Sequence, residues 1–399
     1  MTIEEFNSRY LVNRDGTNAN KWETLKDKRF KADNLIPMWV ADMEFKAPDK
    51  VIEALNKRVS HGVFGYTTLW DSYFDIFFYW QKTRYNIELK REWISFSSGV
   101  VTSLYWIVNA FTNIYDSIII LTPVYYPFHN VVKDNKRKLI KCELKNDNGV
   151  FSIDFEKLED DIIKNNVKLI IFCNPHNPVG RVWTYEEIDN IFDICKRNNV
   201  YIVSDEIHQD INIGIKPFIS ALSIKNKYID RLIVLNSASK TFNLASLIHS
   251  NVIIPDEYMR KIYNGYVNTI YHSQFSLMGM IATEAAYRYG SDWLDGLLKT
   301  IKRNYEYIKY KLNKNMPDII ISPLEGTYLV FMDLRKVVNT NRVKEFIQDD
   351  CKIAVDFGEW FSDNFKGFIR VNIATNFEYI KYFVNKVIEQ LNIKDYRII

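Results

Sequence analysis

Apolar residues come in two rhythms along this chain. From about Trp93 onward, short unbroken apolar runs alternate with stretches whose apolar positions recur at helical spacing. The runs Ser117-Ile-Ile-Ile-Leu121, Lys168-Leu-Ile-Ile-Phe-Cys173, Val200-Tyr-Ile-Val-Ser204 and Arg231-Leu-Ile-Val-Leu235 predict strands buried on both faces. Between two of them, Thr184 to Arg197 opens with a threonine cap and a glutamate three residues on, and then repeats apolar residues as a helix does. Strands alternating with helices predict an α/β fold built on an open, mostly parallel sheet flanked by helices. Such sheets bind ligands in the crevice beyond the carboxyl ends of their strands.

After about Tyr305 the rhythm changes. Ile319 to Met332 and Phe368 to Ile373 read as strands of a smaller α+β unit, with a long helix near Asp292 to Asn313 joining the two parts. The chain is therefore divided into a large domain, 46–294, and a small domain built from 1–45 and 295–399. Leu69 to Tyr85 is unusually aromatic, and Trp70, Tyr73, Phe74, Phe77 and Phe78 fall at helical spacing. A packed helix face is the expectation there, ahead of a substrate-selecting wall.

Composition narrows the classes. At 399 residues the chain exceeds the size at which one core usually stops growing, which agrees with two domains. Its 52 basic and 49 acidic residues are spread without a basic stripe, so no nucleic-acid or membrane partner is expected. The segment Met1 to Asn20 lacks the apolar core of a signal peptide, and no apolar stretch is long enough to span a bilayer. Cys142, Cys173, Cys195 and Cys351 show no CxxC spacing. They are expected to be buried reduced thiols in a cytoplasmic protein.

Chemistry is concentrated where the strands end. One run leads into Asn174-Pro-His-Asn-Pro-Val-Gly180, another into Asp205-Glu-Ile-His208, and a third into Asn236-Ser-Ala-Ser-Lys-Thr-Phe242. Singly these read as a turn, a helix cap and a solvated lysine. In series on one sheet their polar groups should converge in one crevice. A lysine can link to an aldehyde cofactor as a Schiff base, and hydroxyls with free N–H groups can hold its phosphate. An aspartate facing a pyridine nitrogen keeps that ring an electron sink, and a buried carboxylate needs such a cation to stay ionised. GxGxxG, GxxxxGK[ST] and HExxH are absent, and six histidines give a metal site little material, so no metal is expected.

At these residues the chain resembles the fold-type I pyridoxal-phosphate superfamily, aminotransferase class I/II. Within it the chain is similar to the MalY/PatB group of carbon–sulfur β-lyases, the cystathionine β-lyases. The likeness runs through Lys21-Trp22, Pro37 to Phe45, His61-Gly-Val-Phe-Gly-Tyr66 and Thr122-Pro-Val-Tyr125. It continues through Cys173 to Trp183, Ser204 to His208, Ser239 to Leu244 and Glu325-Gly-Thr-Tyr-Leu329. The resemblance implies pyridoxal 5′-phosphate carried on Lys240, which would also shuttle the substrate's Cα proton. It implies Asp205 at the pyridine nitrogen, Asn177 and His208 at the 3-oxygen, and Tyr125 stacked on the ring. Gly99 and Val100 would offer N–H groups to the phosphate, and Ser237 and Ser239 hydroxyls. Arg370 would clamp the substrate carboxylate, with Val40 and Ala41 on the substrate side. The plainer readings are a core aromatic for Tyr125 and a surface ion pair for Arg370.

Tyr66, by the same resemblance, would reach the phosphate of a neighbouring subunit, making a homodimer with shared sites and giving Tyr66 a part in catalysis. One departure stands out: Ile248 occupies a position where many relatives carry a phosphate-binding arginine. The implied activity is β-elimination from L-cystathionine or cysteine S-conjugates, yielding pyruvate, ammonia and a thiol. An aminotransferase on the same residues is the first alternative. A regulatory or binding protein on the same fold is the second.

Overall fold

The computed structural model describes residues 1–26, 30, 34–224, 226–270 and 275–397. Seven strands form its main sheet: β1 (Ile94–Ser97), β2 (Ser117–Thr122), β3 (Lys138–Glu143), β4 (Val167–Cys173), β5 (Tyr201–Asp205), β6 (Leu232–Asn236) and β7 (Ser250–Ile253). Their spatial order is β1-β7-β6-β5-β4-β2-β3. Both pairings of β7 are antiparallel and all the others are parallel. Every residue of β2 and β6 is buried, which is why both read as unbroken apolar runs rather than as alternation. Register fixes the chemistry: Cys173 pairs with Asp205, and Asp205 with Leu235. Three polar strand ends therefore lie side by side along one edge.

Helices seal both faces. The helix Tyr185–Arg197 starts with the expected box: Glu187 N–H donates to Thr184 Oγ1 (3.2 Å) and Thr184 N–H to Glu187 Oε2 (2.9 Å). The aromatic helix is Asp71–Tyr85, with Tyr73, Phe74, Phe77 and Trp80 buried, Phe78 partly buried and Trp70 at its N-cap. Trp80 and Phe77 meet Tyr287 of the helix Leu277–Tyr289, with ring centroids 4.9 and 5.8 Å apart. That face is core, as the spacing predicts. All four cysteines are free and buried.

The long joining helix is Ser291–Asn315, 25 residues, or about 37 Å at 1.5 Å per residue. The N-terminal helix Ile3–Tyr10 lies on it. There a Cβ on Gly296 would meet the Phe6 ring at 2.6 Å, so only glycine fits beneath that ring. A second sheet follows: β8 (Ile320–Ile321), β9 (Leu329–Asp333), β10 (Asp356–Phe357) and β11 (Phe368–Asn372), antiparallel in the order β8-β9-β11-β10. The stretch Ile319 to Met332 is thus not one strand. Pro323 has no N–H for a ladder, and the N–H groups of Glu325 and Gly326 go instead to the Gly180 carbonyl (both 2.9 Å). That contact stitches the two sheets together beside the Asn-Pro turn.

Residues 38–45 are tied to the second sheet and to the loop that follows Lys240. Met38 N–H donates to Ala354 O and Asn372 N–H to Met38 O (both 2.8 Å). From the other side, Asn243 Nδ2 donates to the carbonyls of Met43 (3.0 Å) and Phe45 (2.9 Å), and accepts from Met43 N–H (3.2 Å). Among the described residues, no helix is long and apolar enough to cross a membrane.

Candidate active site

A cleft of about 280 Å³ opens at the carboxyl ends of β4, β5 and β6. Its walls include Tyr125, Cys173, Asn177, Asp205, His208, Ser239, Lys240 and Ala41. Its far end is formed by Ser98, Gly99, Val100, Val101 and Thr102, where β1 turns into the helix Val100–Phe111. Gly99 makes that turn at φ 158°, ψ 157°, a region essentially reserved for glycine. The first N–H groups of a helix have no acceptor within it, so this end suits an anion.

Lys240 sits at the centre. Its Nζ donates to the carbonyl of Ala41 (2.7 Å), which also accepts from the Tyr328 hydroxyl (2.9 Å). Burial pushes the Lys240 amine down to about 8, against the pull of Asp42. Asp205 is buried, and burial pushes its carboxyl up to about 7, opposed by the Ile207 N–H (3.1 Å) and the charge of Lys240. His208 is buried and pushed well below the usual imidazole range, first by desolvation and then by Lys240 and Arg370. Its Nδ1 has no acceptor or donor among the described residues. Tyr125 lines the cleft, and its N–H donates to the Asn177 carbonyl (3.1 Å). Asn177 Oδ1 accepts from Arg370 Nη1 (2.9 Å), so the amide's remaining offer is a donor.

Arg370 is buried at 2% exposure and paired with Asp356, which removes the surface ion pair as an explanation. It stands behind Asn177 rather than on the cleft wall. Val40 is not on the wall either: it packs against the cluster of Phe30, Leu35, Trp39 and Ala354, and its carbonyl accepts from Asn372 Nδ2 (2.5 Å). Ser237 is buried and committed elsewhere. As cap of the short helix Ala238–Thr241, its hydroxyl donates to the His249 carbonyl (2.7 Å) and accepts from Ser239 N–H (3.1 Å). Gly99 N–H is likewise directed at Ser97 Oγ (3.3 Å), which leaves Val100 and its successors as the available donors. Tyr66 is 95% exposed and lies with Phe64, Thr67 and Phe275 along a separate surface groove. Within one chain it does not reach the cleft.

Several wall residues escaped the sequence reading. Ser98 and Thr102 follow a strand end, the signal already used at the other three ends. His249 follows Ile248, which is exposed and left-handed at φ 46°, and precedes an antiparallel strand, so the strand-end rule does not find it. Among the described residues no group of three His, Cys, Asp or Glu side chains could hold a metal ion.

The residues present fit a flat cationic heterocycle bearing an aldehyde and a phosphate. A buried carboxyl short of donors, an orphan imidazole nitrogen, a lysine of lowered basicity and a helix start share one cavity. Such a sheet and such a cleft define a fold-type I pyridoxal-phosphate enzyme. The chain belongs to the aminotransferase class I and II family, whose profile it matches over residues 38–387. Cystathionine beta-lyase PatB of Bacillus subtilis (strain 168) is 33% identical to it over 358 residues, 90% of this chain and 92% of that protein. Cystalysin from Treponema denticola, solved with a pyridoxal 5′-phosphate cofactor, superposes with a TM-score of 0.91 at 34% identity, covering 96% of this chain and 98% of that one. The PLP-bound C–S lyase from Staphylococcus hominis gives 0.89 at 32% identity, covering 96% and 97%.

Proposed function

We propose that this chain is a pyridoxal-phosphate-dependent carbon–sulfur β-lyase, cleaving L-cystathionine or related cysteine S-conjugates to pyruvate, ammonia and a thiol. The observation that carries the reading is the meeting of Lys240, Asp205, Asn177, His208 and Tyr125 on one cleft, in a chain 33% identical to a cystathionine β-lyase. Lys240 would hold the cofactor's aldehyde, Asp205 its ring nitrogen, Asn177 and His208 its 3-oxygen, and Tyr125 its face. The start of the helix Val100–Phe111, with Ser239, would hold the phosphate. When bound, the cofactor supplies an electron sink for the charge left at the substrate's Cα.

The chain's own residues do the rest. Arg370 and Asn177 orient the substrate through its α-carboxylate. Lys240 Nζ, freed when the substrate's own amine takes its place, would accept the Cα proton, and burial, which lowers its basicity to about 8, favours the neutral amine for that step. The Cβ–S bond then breaks, with sulfur keeping the electron pair as thiolate. The three-carbon enamine left behind takes up water and loses ammonia to give pyruvate.

The division into a cofactor-binding domain, 46–294, and a small domain, 1–45 with 295–399, belongs to the same proposal. So does a homodimer with shared sites. Tyr66 is exposed, as are Val59, Val63, Phe64 and Leu69 near it in the chain, apolar side chains that a second copy would cover, placing each Tyr66 at the other chain's phosphate. Buried free thiols suit a reducing, cytoplasmic setting.

The test is direct. Purified protein with L-cystathionine should release pyruvate, ammonia and thiol in equal amounts without an added amino acceptor. Turnover that requires a 2-oxo acid would make it an aminotransferase instead.

A further inference from the structure

Arg370 has a rival for the carboxylate it is proposed to clamp. It lies on β11 directly opposite Asp356 on β10, and both side chains are sealed from solvent at 3% and 2% exposure. Nη2 donates to Asp356 Oδ2 and to the carbonyl of Trp39 (3.3 Å), and Nη1 donates to Asn177 Oδ1 (2.9 Å). Phe361 covers the guanidinium, its ring centroid 4.9 Å from Cζ. Nε is buried and has no acceptor among the described residues. The fork is therefore charge-neutralised from the small sheet and reaches the cleft only by way of Asn177, with Nε–H and one Nη1 hydrogen unspent among the described residues.

A buried guanidinium needs a counter-charge, and breaking such a pair by removing one partner leaves a strong appetite for another anion. A carboxylate entering this site meets a neutral pair rather than a bare cation. It must share or displace Asp356.

We propose that Asp356 is an internal counter-ion that competes with the substrate's α-carboxylate for Arg370, and so sets how loosely amino acids and their 2-oxo-acid products are held. This rests on Arg370 being the carboxylate clamp. Asp356 is a positioning residue: it keeps the cation ordered before substrate arrives and takes it back when product leaves. Binding a carboxylate equally tightly before and during the chemistry does nothing for turnover, and a weakened grip favours release of pyruvate, which carries the same group.

The test uses the holoenzyme with acetate as probe and acetamide as its neutral control, read as the ligand-dependent rise in unfolding temperature. In Asp356→Asn the acetate dissociation constant should fall about tenfold, the scale of one charged hydrogen bond, while acetamide gains nothing. The KM for L-cystathionine should fall with it, kcat should not rise, and Asp356→Glu should return both to wild type. Unchanged or weaker acetate binding in Asp356→Asn, with acetate binding abolished in Arg370→Gln, overturns the competition but leaves the clamp standing. Acetate binding that survives Arg370→Gln overturns both. If Asp356→Asn is insoluble alone, acetate but not acetamide during purification should recover it, as should be true of Asp356→Ser. Failure of both variants to recover overturns the proposal. The acetate and acetamide readings do not depend on whether the enzyme is a lyase.

Discussion

Asp205→Asn separates the two demands placed on this aspartate. Burial raises its carboxyl from an ordinary 3.8 to about 7. At 1.36 kcal/mol per tenfold, keeping it ionised in the empty cleft above pH 7 costs about 4 kcal/mol of folding stability. The sign follows from the direction of the shift. A carboxyl raised on folding costs nothing where it is protonated in both states, below pH 4. Stability then drains away as pH climbs from the unfolded value to the folded one, and the loss levels off above 7. At pH 5 the cost is about 2 kcal/mol by the same arithmetic. Asparagine has no such cost, so cofactor-free Asp205→Asn should gain on wild type by about 2–3 kcal/mol between pH 5 and pH 8.

Urea unfolding of both apoproteins at the two pH values measures that difference. Glu206, raised to about 7 by burial and further by the charge of Asp205, titrates in both proteins; losing the Asp205 charge eases its shift in the variant and adds to the difference in the same direction. The loaded enzyme should show the reverse. Without a carboxylate at the ring nitrogen, pyruvate formation should drop a hundredfold or more, the usual scale for losing one preorganised charge. A stability difference that does not change with pH would show that Asp205 does not carry the first burden, and turnover within a few-fold of wild type that it does not carry the second.

Three further outcomes are expected. Borohydride should fix the cofactor to Lys240 in the wild type and to no lysine in Lys240→Ala, as read by peptide mass. In the apoprotein, the rate at which Lys240 captures an aldehyde should rise with pH around a midpoint near 8, because burial lowers the amine, and Asp42→Asn should move the midpoint lower still. Solvent lysines should titrate near 10.4 in the same experiment. Lys240→Ala and Tyr66→Phe chains, each nearly inactive alone, should recover roughly a quarter of wild-type activity when unfolded and refolded together. Half the dimers are then mixed and half of their sites are intact; no recovery would mean that Tyr66 serves its own chain.

What could be read in the sequence was what is local. β2, β4, β5 and β6 are each a continuous apolar run because both faces are covered, and each keeps its bounds to within one residue of the reading. The helix Tyr185–Arg197 announces itself by a capping box that needs only four adjacent residues. Ile319 to Met332 misled for the opposite reason. Its apolar residues serve two short strands, and the turn between them answers to Gly180, far away in the chain.

The site divides along the same line. Asp205 ends its strand and Asn177 and Lys240 lie four residues beyond theirs, and parallel strands in register bring such ends together without further information. Ser237 has the right chemistry in the right place, yet its hydroxyl goes to the His249 carbonyl across the antiparallel β7, and no local pattern encodes that partner. Asp356 is the clearest case. It belongs to a strand of two residues, and its meaning comes wholly from lying opposite Arg370. Residues proposed to hold the ligand were legible because the backbone presents them. Those proposed to tune the holders were not, because their place is fixed by which strand folds against which. Tyr66 lies one step further out: almost wholly exposed in the single chain, it can acquire a task at the cleft only from a second copy.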